Sequence, residues 1–152
     1  MISGEARHTR CVMGRLERGE EVVDALLEVA RFERIDAGFV RAQGSIEAVE
    51  LLRHDAVARR DVPHARADAA GGAWELVSLQ GSVSLLRGAP DVRVWAVVSG
   101  APGGVPQVLA GLLGSARAVY VEFAIDVCDD GDLERRDDAV TGLPLWRPPR
   151  RR

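Results

Sequence analysis

Residues 20–53 read EEVVDALLEVARFERIDAGFVRAQGSIEAVELLR, and this stretch decides the fold. In its first half the apolar positions recur at helical spacing. Val22, Leu26, Val29 and Ala30 share one face, with Val23 and Leu27 beside them. Glu20, Glu21 and Asp24 fall in the first turn and Arg31 and Arg34 in the last, the polarity that a helix dipole favours. The spacing predicts a helix over 20–34. After it the period changes from helical to extended. Ile35 to Gln43 reads as a strand, Gly44-Ser45 as a tight turn and Ile46 to Arg53 as the next strand, so the pair is expected to form an antiparallel hairpin.

Outward from this stretch the chain is mostly strand. Residues 7–16 alternate polar and apolar side chains and read as a first strand, ended by Gly19. Residues 54–73 are polar, rich in Ala and Gly, and contain Pro63. They read as a loop or excursion with room for a short edge strand. Trp74 to Leu86 is a long strand in which Gly81 suggests a bulge or bend. A turn at Gly88-Ala89-Pro90 leads to a strand over Val92 to Ser99, and 100–104 (GAPGG) turns again. Val108 to Leu113 and Ala118 to Val127 are two further strands, or one strand broken near Gly114. A turn over Asp129 to Asp132 and a short closing segment near Thr141 to Leu145 complete the pattern. One helix followed by many strands predicts an α+β domain on an antiparallel-rich sheet. We assign residues 1–146 to that domain and expect 147–152 (RPPRRR) to be a disordered basic tail.

The chain has 152 residues, enough for one domain with a real core, and it is 47% hydrophobic and 28% charged. No apolar run approaches the roughly 20 residues that span a bilayer. The N-terminal MISGEARHTR is followed by no apolar h-region, so neither a membrane partner nor a signal peptide is expected, and the cytoplasm is the expected location. Cys11 and Cys128 belong to no CxxC pair, and we expect reduced, mostly buried thiols. All 20 basic residues are arginine, against 23 acidic ones, for a net charge of −3. Setting aside Arg147, Arg150, Arg151 and Arg152 leaves the rest at −7, a poor electrostatic footprint for nucleic acid.

No complete catalytic constellation is present. His8, His54 and His64 have no ligand partner at metal spacing. Asp129-Asp130-Gly131-Asp132 lacks the alternation and distal glutamate of a calcium loop. The GAPGG run is followed by a predicted strand and Pro106, where a phosphate cradle would need a helix. Ser78, Ser82 and Ser84 alternate along a strand face without a base or orienter. Two strand faces hold more interest. Val92, Val94, Ala96 and Val98 share one face, and Arg93, Trp95 and Val97 the other. A cation and an indole two residues apart make either a stacking or anion-binding surface, or a half-buried subunit contact. Val119, Val121, Phe123, Ile125 and Val127 define a core face, with Glu122 on the opposite one, at a pocket or a subunit boundary.

The run from Arg15 to Leu51, then WELVSLQGSVSLL, VYVEFAIDV and RRDDAVTGLPLW, resembles the PPC domain (plants and prokaryotes conserved) over roughly residues 7–146. The resemblance implies an α+β fold, a homotrimer and a DNA-binding role without an assigned activity. The acidic body argues against that role. So does the tail, which lacks the Arg-Gly-Arg-Pro core of an AT-hook. It also implies a site. Many prokaryotic members carry His-x-His on a strand, then Gly-Gly-His-Leu after a glycine turn, and these histidines can bind a metal such as zinc. In this sequence the pair falls on Arg93 and Trp95, and the third histidine on Gln107. Arginine and tryptophan cannot ligate zinc and glutamine is a poor ligand, so no metal and no cofactor are expected. Two functions follow: a non-catalytic homotrimer that binds DNA or another partner, or a protein, enzyme included, that takes a small anionic ligand at Arg93, Trp95, Gln107 and Glu122.

Overall fold

The computed structural model describes residues 5–68, 72–129, 131–147 and 150–151. Strand β1 (Arg10–Leu16) precedes helix α1 (Val22–Phe32). Then come β2 (Gly38–Asp55), β3 (Arg60–Ala67), β4 (Trp74–Leu86), β5 (Ala89–Gly100) and β6 (Gln107–Val127). The short strands β7 (Gly131–Asp132), β8 (Glu134–Asp137), β9 (Pro144–Trp146) and β10 (Arg150–Arg151) end the chain. The fold is α+β, as the sequence predicts. Strands β2, β6, β5 and β4 pair in that order, and β4 pairs back onto β2, so the sheet closes on itself. β3 extends β2, β1 lies on β6, and β8 joins β4 in parallel with β9 outside it. The backbone of β10 pairs with β7. Among the described residues no helix is long and apolar enough to cross a membrane.

Helix α1 closes one side of the ring against β5 and β6. Its face of Val22, Leu26 and Ala30 is fully buried. The Glu21 carboxylate caps the start, accepting from the Asp24 backbone N–H at 2.8 Å, and its other oxygen accepts from Ala116 N–H of β6 at 2.7 Å. At the far end Arg34 takes φ +55°, and the N–H of buried Ile35 returns to the Ala30 carbonyl. This is a Schellman close, made here with arginine where glycine is usual.

The expected hairpin at Gly44 does not form. β2 runs straight through it, pairing on one edge with β4 and on the other with β6. A Cβ at Gly44 would stand 2.3 Å from the Tyr120 carbonyl oxygen, so the glycine permits close strand approach where the sequence suggests a turn. Likewise β6 is one strand of 21 residues. Its core face changes phase in the middle, because the pairing steps from Tyr120 to Ala118 opposite Ser45 and Ile46. Val119 is therefore only partly buried, whereas Ala118, Val121, Phe123, Ile125 and Val127 form the core face. Gly81 is not a bulge either. It pairs in regular register with Val94, and a Cβ there would lie 2.1 Å from the Arg93 carbonyl. The register shift in β4 falls between Leu76 and Ser78.

The β4–β5 connection is a two-residue turn at Arg87-Gly88, both at positive φ, one step before the expected Gly88-Ala89-Pro90. β3 is the edge strand for which residues 54–73 left room, and Pro63 sits on it. Neither cysteine is in a disulfide, and Cys11 is exposed where a buried thiol was expected, because its β1 position points out of the sheet. In the expected turn at Asp129 to Asp132, Gly131 and Asp132 form β7, and Asp130 lies outside the described residues.

Candidate functional site

The inward face of β5 (Val94, Ala96 and Val98) is buried in the core. Period two therefore sends Arg93 and Trp95 outward. Arg93 Nη2 donates to Asp61 Oδ2 of β3 at 2.7 Å, with both side chains more than four-fifths covered. Asp61 Oδ1 lies 3.8 Å from His54 Nδ1 of β2, and neither of these two buried atoms has a hydrogen-bond partner among the described residues. The Arg93 guanidinium also sits over the Trp95 ring, 5.7 Å from its centre. Trp95 itself is 49% exposed.

A second arginine reaches the same side of the sheet from β8. Arg135 is only 6% exposed. Its Nε donates to Ser84 Oγ at 2.9 Å, Nη2 to Ser82 Oγ at 3.0 Å and Nη1 to the Pro144 carbonyl at 3.1 Å. The guanidinium lies over the Trp146 ring of β9, 5.2 Å from its centre. All three acceptors are neutral. Among the described residues no carboxylate forms an ion pair with Arg135. Burial pushes its pKa below the usual arginine value, and nearby Arg93 pushes the same way against a weaker opposing pull from Asp91. The fold therefore holds a positive charge away from water without a matching negative one, which is costly unless an anion supplies it.

Arg135, Trp146 and Trp95 line one open cavity of about 850 Å3, together with Phe39, Ser82 and Leu145. Phe39 meets Trp146 edge-on at 6.1 Å between ring centres. At the rim Arg41 is ion-paired with Asp126, which His8 also approaches at 3.5 Å. The walls are thus largely aromatic and aliphatic, with Arg135 at the back. Such a cavity can hold a ligand with an apolar body and an acidic group. The Ser82 and Ser84 hydroxyls are engaged by the guanidinium, and no histidine among the described residues is hydrogen-bonded to them.

The other two sequence candidates lie elsewhere. Gln107 opens β6 and lines a separate cavity of about 830 Å3 with Trp74, Arg66 and Arg117. Glu122 stands opposite Gln43 of β2 and Arg15 of β1, in a shallow hollow of about 350 Å3 that shares Arg41 and Gln80 with the main cavity. Of the four, only Arg93 and Trp95 are in contact.

A family model matches this fold and sequence. The Plants and Prokaryotes Conserved (PCC) domain covers residues 3–128. The chain belongs to the PCC family. No match was found among the curated proteins. Three solved structures share the PCC fold with it. A plant- and prokaryote-conserved protein from Pyrococcus horikoshii is 22% identical at a TM-score of 0.85, covering 97% of both chains. A metal-containing protein from Archaeoglobus fulgidus is 25% identical at a TM-score of 0.82, covering 93% of this chain and 96% of its own. A proposed DNA-binding protein from Bacteroides thetaiotaomicron is 18% identical at a TM-score of 0.79, covering 90% of this chain and 91% of its own.

The strand register bears on where a metal of this family would sit. The residue of β6 directly opposite Trp95 is Leu112, within Ala110-Gly111-Leu112-Leu113, which has the spacing of Gly-Gly-His-Leu. Gln107 stands opposite Gly100, five residues further along, about 17 Å at the rise of a strand. Within the chain the β6 residue beside Trp95 is thus Leu112, and Gln107 lies away from Arg93 and Trp95. Arg93, Trp95 and Leu112 offer no metal-ligating atom, so a metal does not fit this set. Among the described residues no group of three or more His, Cys, Asp or Glu could hold one elsewhere.

Sequence reasoning missed Arg135, Trp146, Phe39 and Ser82. The one available signal was the Ser82/Ser84 alternation on β4, a polar pair on a face that β8 then covers.

Proposed function

We propose that this PCC-family chain is a non-catalytic binding protein that takes a small anionic ligand in the cavity between Trp95 and Trp146. The observation that carries this reading is Arg135, a buried guanidinium held only by neutral acceptors and open to the cavity. An anion there would supply the missing negative charge in a site of low dielectric, where the attraction is strong. Residues 1–146 form the working unit, in the cytoplasm, where two cysteines outside any disulfide are in keeping with a reducing compartment. We take the assembly to be a homotrimer, as the family resemblance implies.

Calorimetric titration of the full chain with acetate, benzoate and inorganic phosphate tests the reading, alongside Arg135→Gln. At least one anion is expected to bind once per chain, and the variant is expected to lose that binding. Failure of every anion, or binding unchanged in the variant, overturns it. Light scattering tests the assembly, for which a mass of one chain, 16.4 kDa, is the contrary result.

DNA binding is the second reading, favoured by the likeness to the proposed DNA-binding protein from Bacteroides. The acidic body of the chain weighs against it. A mobility-shift titration at two salt concentrations decides: retardation that weakens with salt supports DNA, and none at low salt removes it.

A further inference from the structure

The charges around the cavity restrict its ligand further. Arg41 is neutralised by Asp126 and Arg93 by Asp61, which leaves the Arg135 charge as the one without an ion-pair partner among the described cavity residues. A guanidinium has five N–H groups. Three of those on Arg135 go to Ser84, Ser82 and Pro144, leaving one N–H on each terminal nitrogen. Two donors on adjacent nitrogens suit the two oxygens of one carboxylate. A phosphate dianion or a nucleic-acid backbone would call for further free cations, and the neighbouring arginines are already paired.

The remaining walls say what is attached to the carboxylate. Trp95, Trp146 and Phe39 are 49%, 40% and 50% exposed, unusually high for such large apolar side chains, and all three line this cavity with Leu145. One T-shaped contact, Phe39 on Trp146, fixes two of the rings against each other. A flat apolar group would cover these faces by stacking. We infer that the ligand is a monocarboxylic acid with an aromatic or similarly flat apolar body, its carboxylate on Arg135 and its ring among Trp95, Trp146 and Phe39. This rests on the anion-binding reading above and narrows it.

The experiment is a calorimetric series on the full chain with phenylacetate, benzoate, cyclohexanecarboxylate, acetate, benzyl alcohol and phenyl phosphate. Phenylacetate or benzoate is expected to bind once per chain, at least tenfold tighter than acetate and than benzyl alcohol, and tighter than phenyl phosphate. Arg135→Gln should remove the advantage over benzyl alcohol. Trp95→Ala, at a half-exposed position outside the buried core, should remove most of the advantage over acetate. Circular dichroism confirms that each variant is folded. If acetate binds through Arg135 as tightly as the aromatic acids, the flat-body inference fails and the anion site stands; if phenyl phosphate binds as tightly as they do, the carboxylate assignment fails. If the aromatic acids bind equally well to Arg135→Gln, the carboxylate placement fails. If none of the acids binds the wild-type chain, both fail.

Discussion

Replacing Arg135 by methionine should make the ligand-free protein more stable, and that sign separates a binding residue from a structural strap. The side chain is 6% exposed and makes three hydrogen bonds, to Ser84, Ser82 and the Pro144 carbonyl. Hydrogen bonds from a charged donor contribute about 1.5–3 kcal/mol each when measured by removing one partner. Against them stands desolvation of the guanidinium, several kcal/mol even after relaxation, with no carboxylate among the described residues close enough to repay it through an ion pair. Burial lowers the Arg135 pKa. A base whose folded pKa is depressed disfavours the fold at every pH below that value, so the cost is present in full at neutral pH. Methionine keeps much of the volume over Trp146 and removes the buried charge, at the loss of the bonds to Ser82, Ser84 and Pro144. Replacing buried charges by apolar side chains of similar size has been neutral or stabilising by about 1–4 kcal/mol. We therefore expect about 1–2 kcal/mol of added stability, or a Tm rise of roughly 2–8 °C for a chain of this length. Urea unfolding followed by circular dichroism, at matched chain concentration, measures it. The same scans with phenylacetate should stabilise the wild type and leave the variant unmoved. A ligand-free variant that loses 1 kcal/mol or more would refute the reasoning, and would mean that the guanidinium chiefly holds β8 onto β4.

Three further outcomes follow from the fold. Leu26→Ala empties a fully buried helix position against the sheet and should cost about 2–5 kcal/mol; a loss under 1 kcal/mol in urea would mean that α1 is not packed as described. Gly81→Ala places a methyl 2.1 Å from the Arg93 carbonyl oxygen and should destabilise by more than about 2 kcal/mol, whereas an exposed control such as Val57→Ala should change stability by less than about 0.5 kcal/mol; equal effects would contradict the close β4–β5 approach. Asp138 accepts from the Thr141 backbone N–H, the Thr141 hydroxyl and the Val140 N–H, which together hold its pKa below the usual carboxylate value. Its contribution to stability is present above the unfolded value, near 3.8, and is lost as pH falls through the lower folded one; a carboxyl NMR titration with a midpoint at or above 3.8 would contradict these bonds.

The helix, the α+β class and the inward and outward faces of β5 were legible because each is a local period. Two errors had one cause. Gly44 and Gly81 read as a turn and a bulge because glycine in a strand is ambiguous on its own. Both serve close approach to a backbone distant in sequence, Tyr120 for one and Arg93 for the other. Val119 was misplaced because a change of phase in β6 is set by its pairing with β2 and leaves no mark in β6 itself. The Arg93–Trp95 pair was legible for the opposite reason, since two residues on one strand fix their own relation. Arg135 was not, because its meaning depends on Ser82 and Ser84, more than fifty residues earlier, and on a parallel β4–β8 contact that no local pattern announces.

Arg135 lies beyond the residues that the family model matches, within the stretch 135–146 that also carries the resemblance. The PCC family model ends at residue 128, at the end of β6. Trp95, Ser82 and Phe39 belong to the matched domain, whereas Arg135, Leu145 and Trp146 come from the segment beyond it. That segment is anchored on the domain in three ways: the Leu133 carbonyl accepts from Leu85 N–H at 2.7 Å, β8 pairs with Leu85 and Leu86, and Trp146 meets Phe39. It brings a cation to the face where the family resemblance places a histidine pair and where this chain carries Arg93 and Trp95. A metal there would offer positive charge at a point; a guanidinium offers it with directed donors and an apolar stem. Arg93, Trp95 and the C-terminal Arg135 thus act on one face. Returning histidines to 93, 95 and 112 alone should then not yield a tight zinc site, because Arg135 would still set a positive charge beside it. The same triple change combined with Arg135→Ser should bind zinc measurably tighter in a competition titration with a chromogenic chelator. Equal zinc affinity with and without Arg135 would show that the guanidinium does not govern the electrostatics of this face.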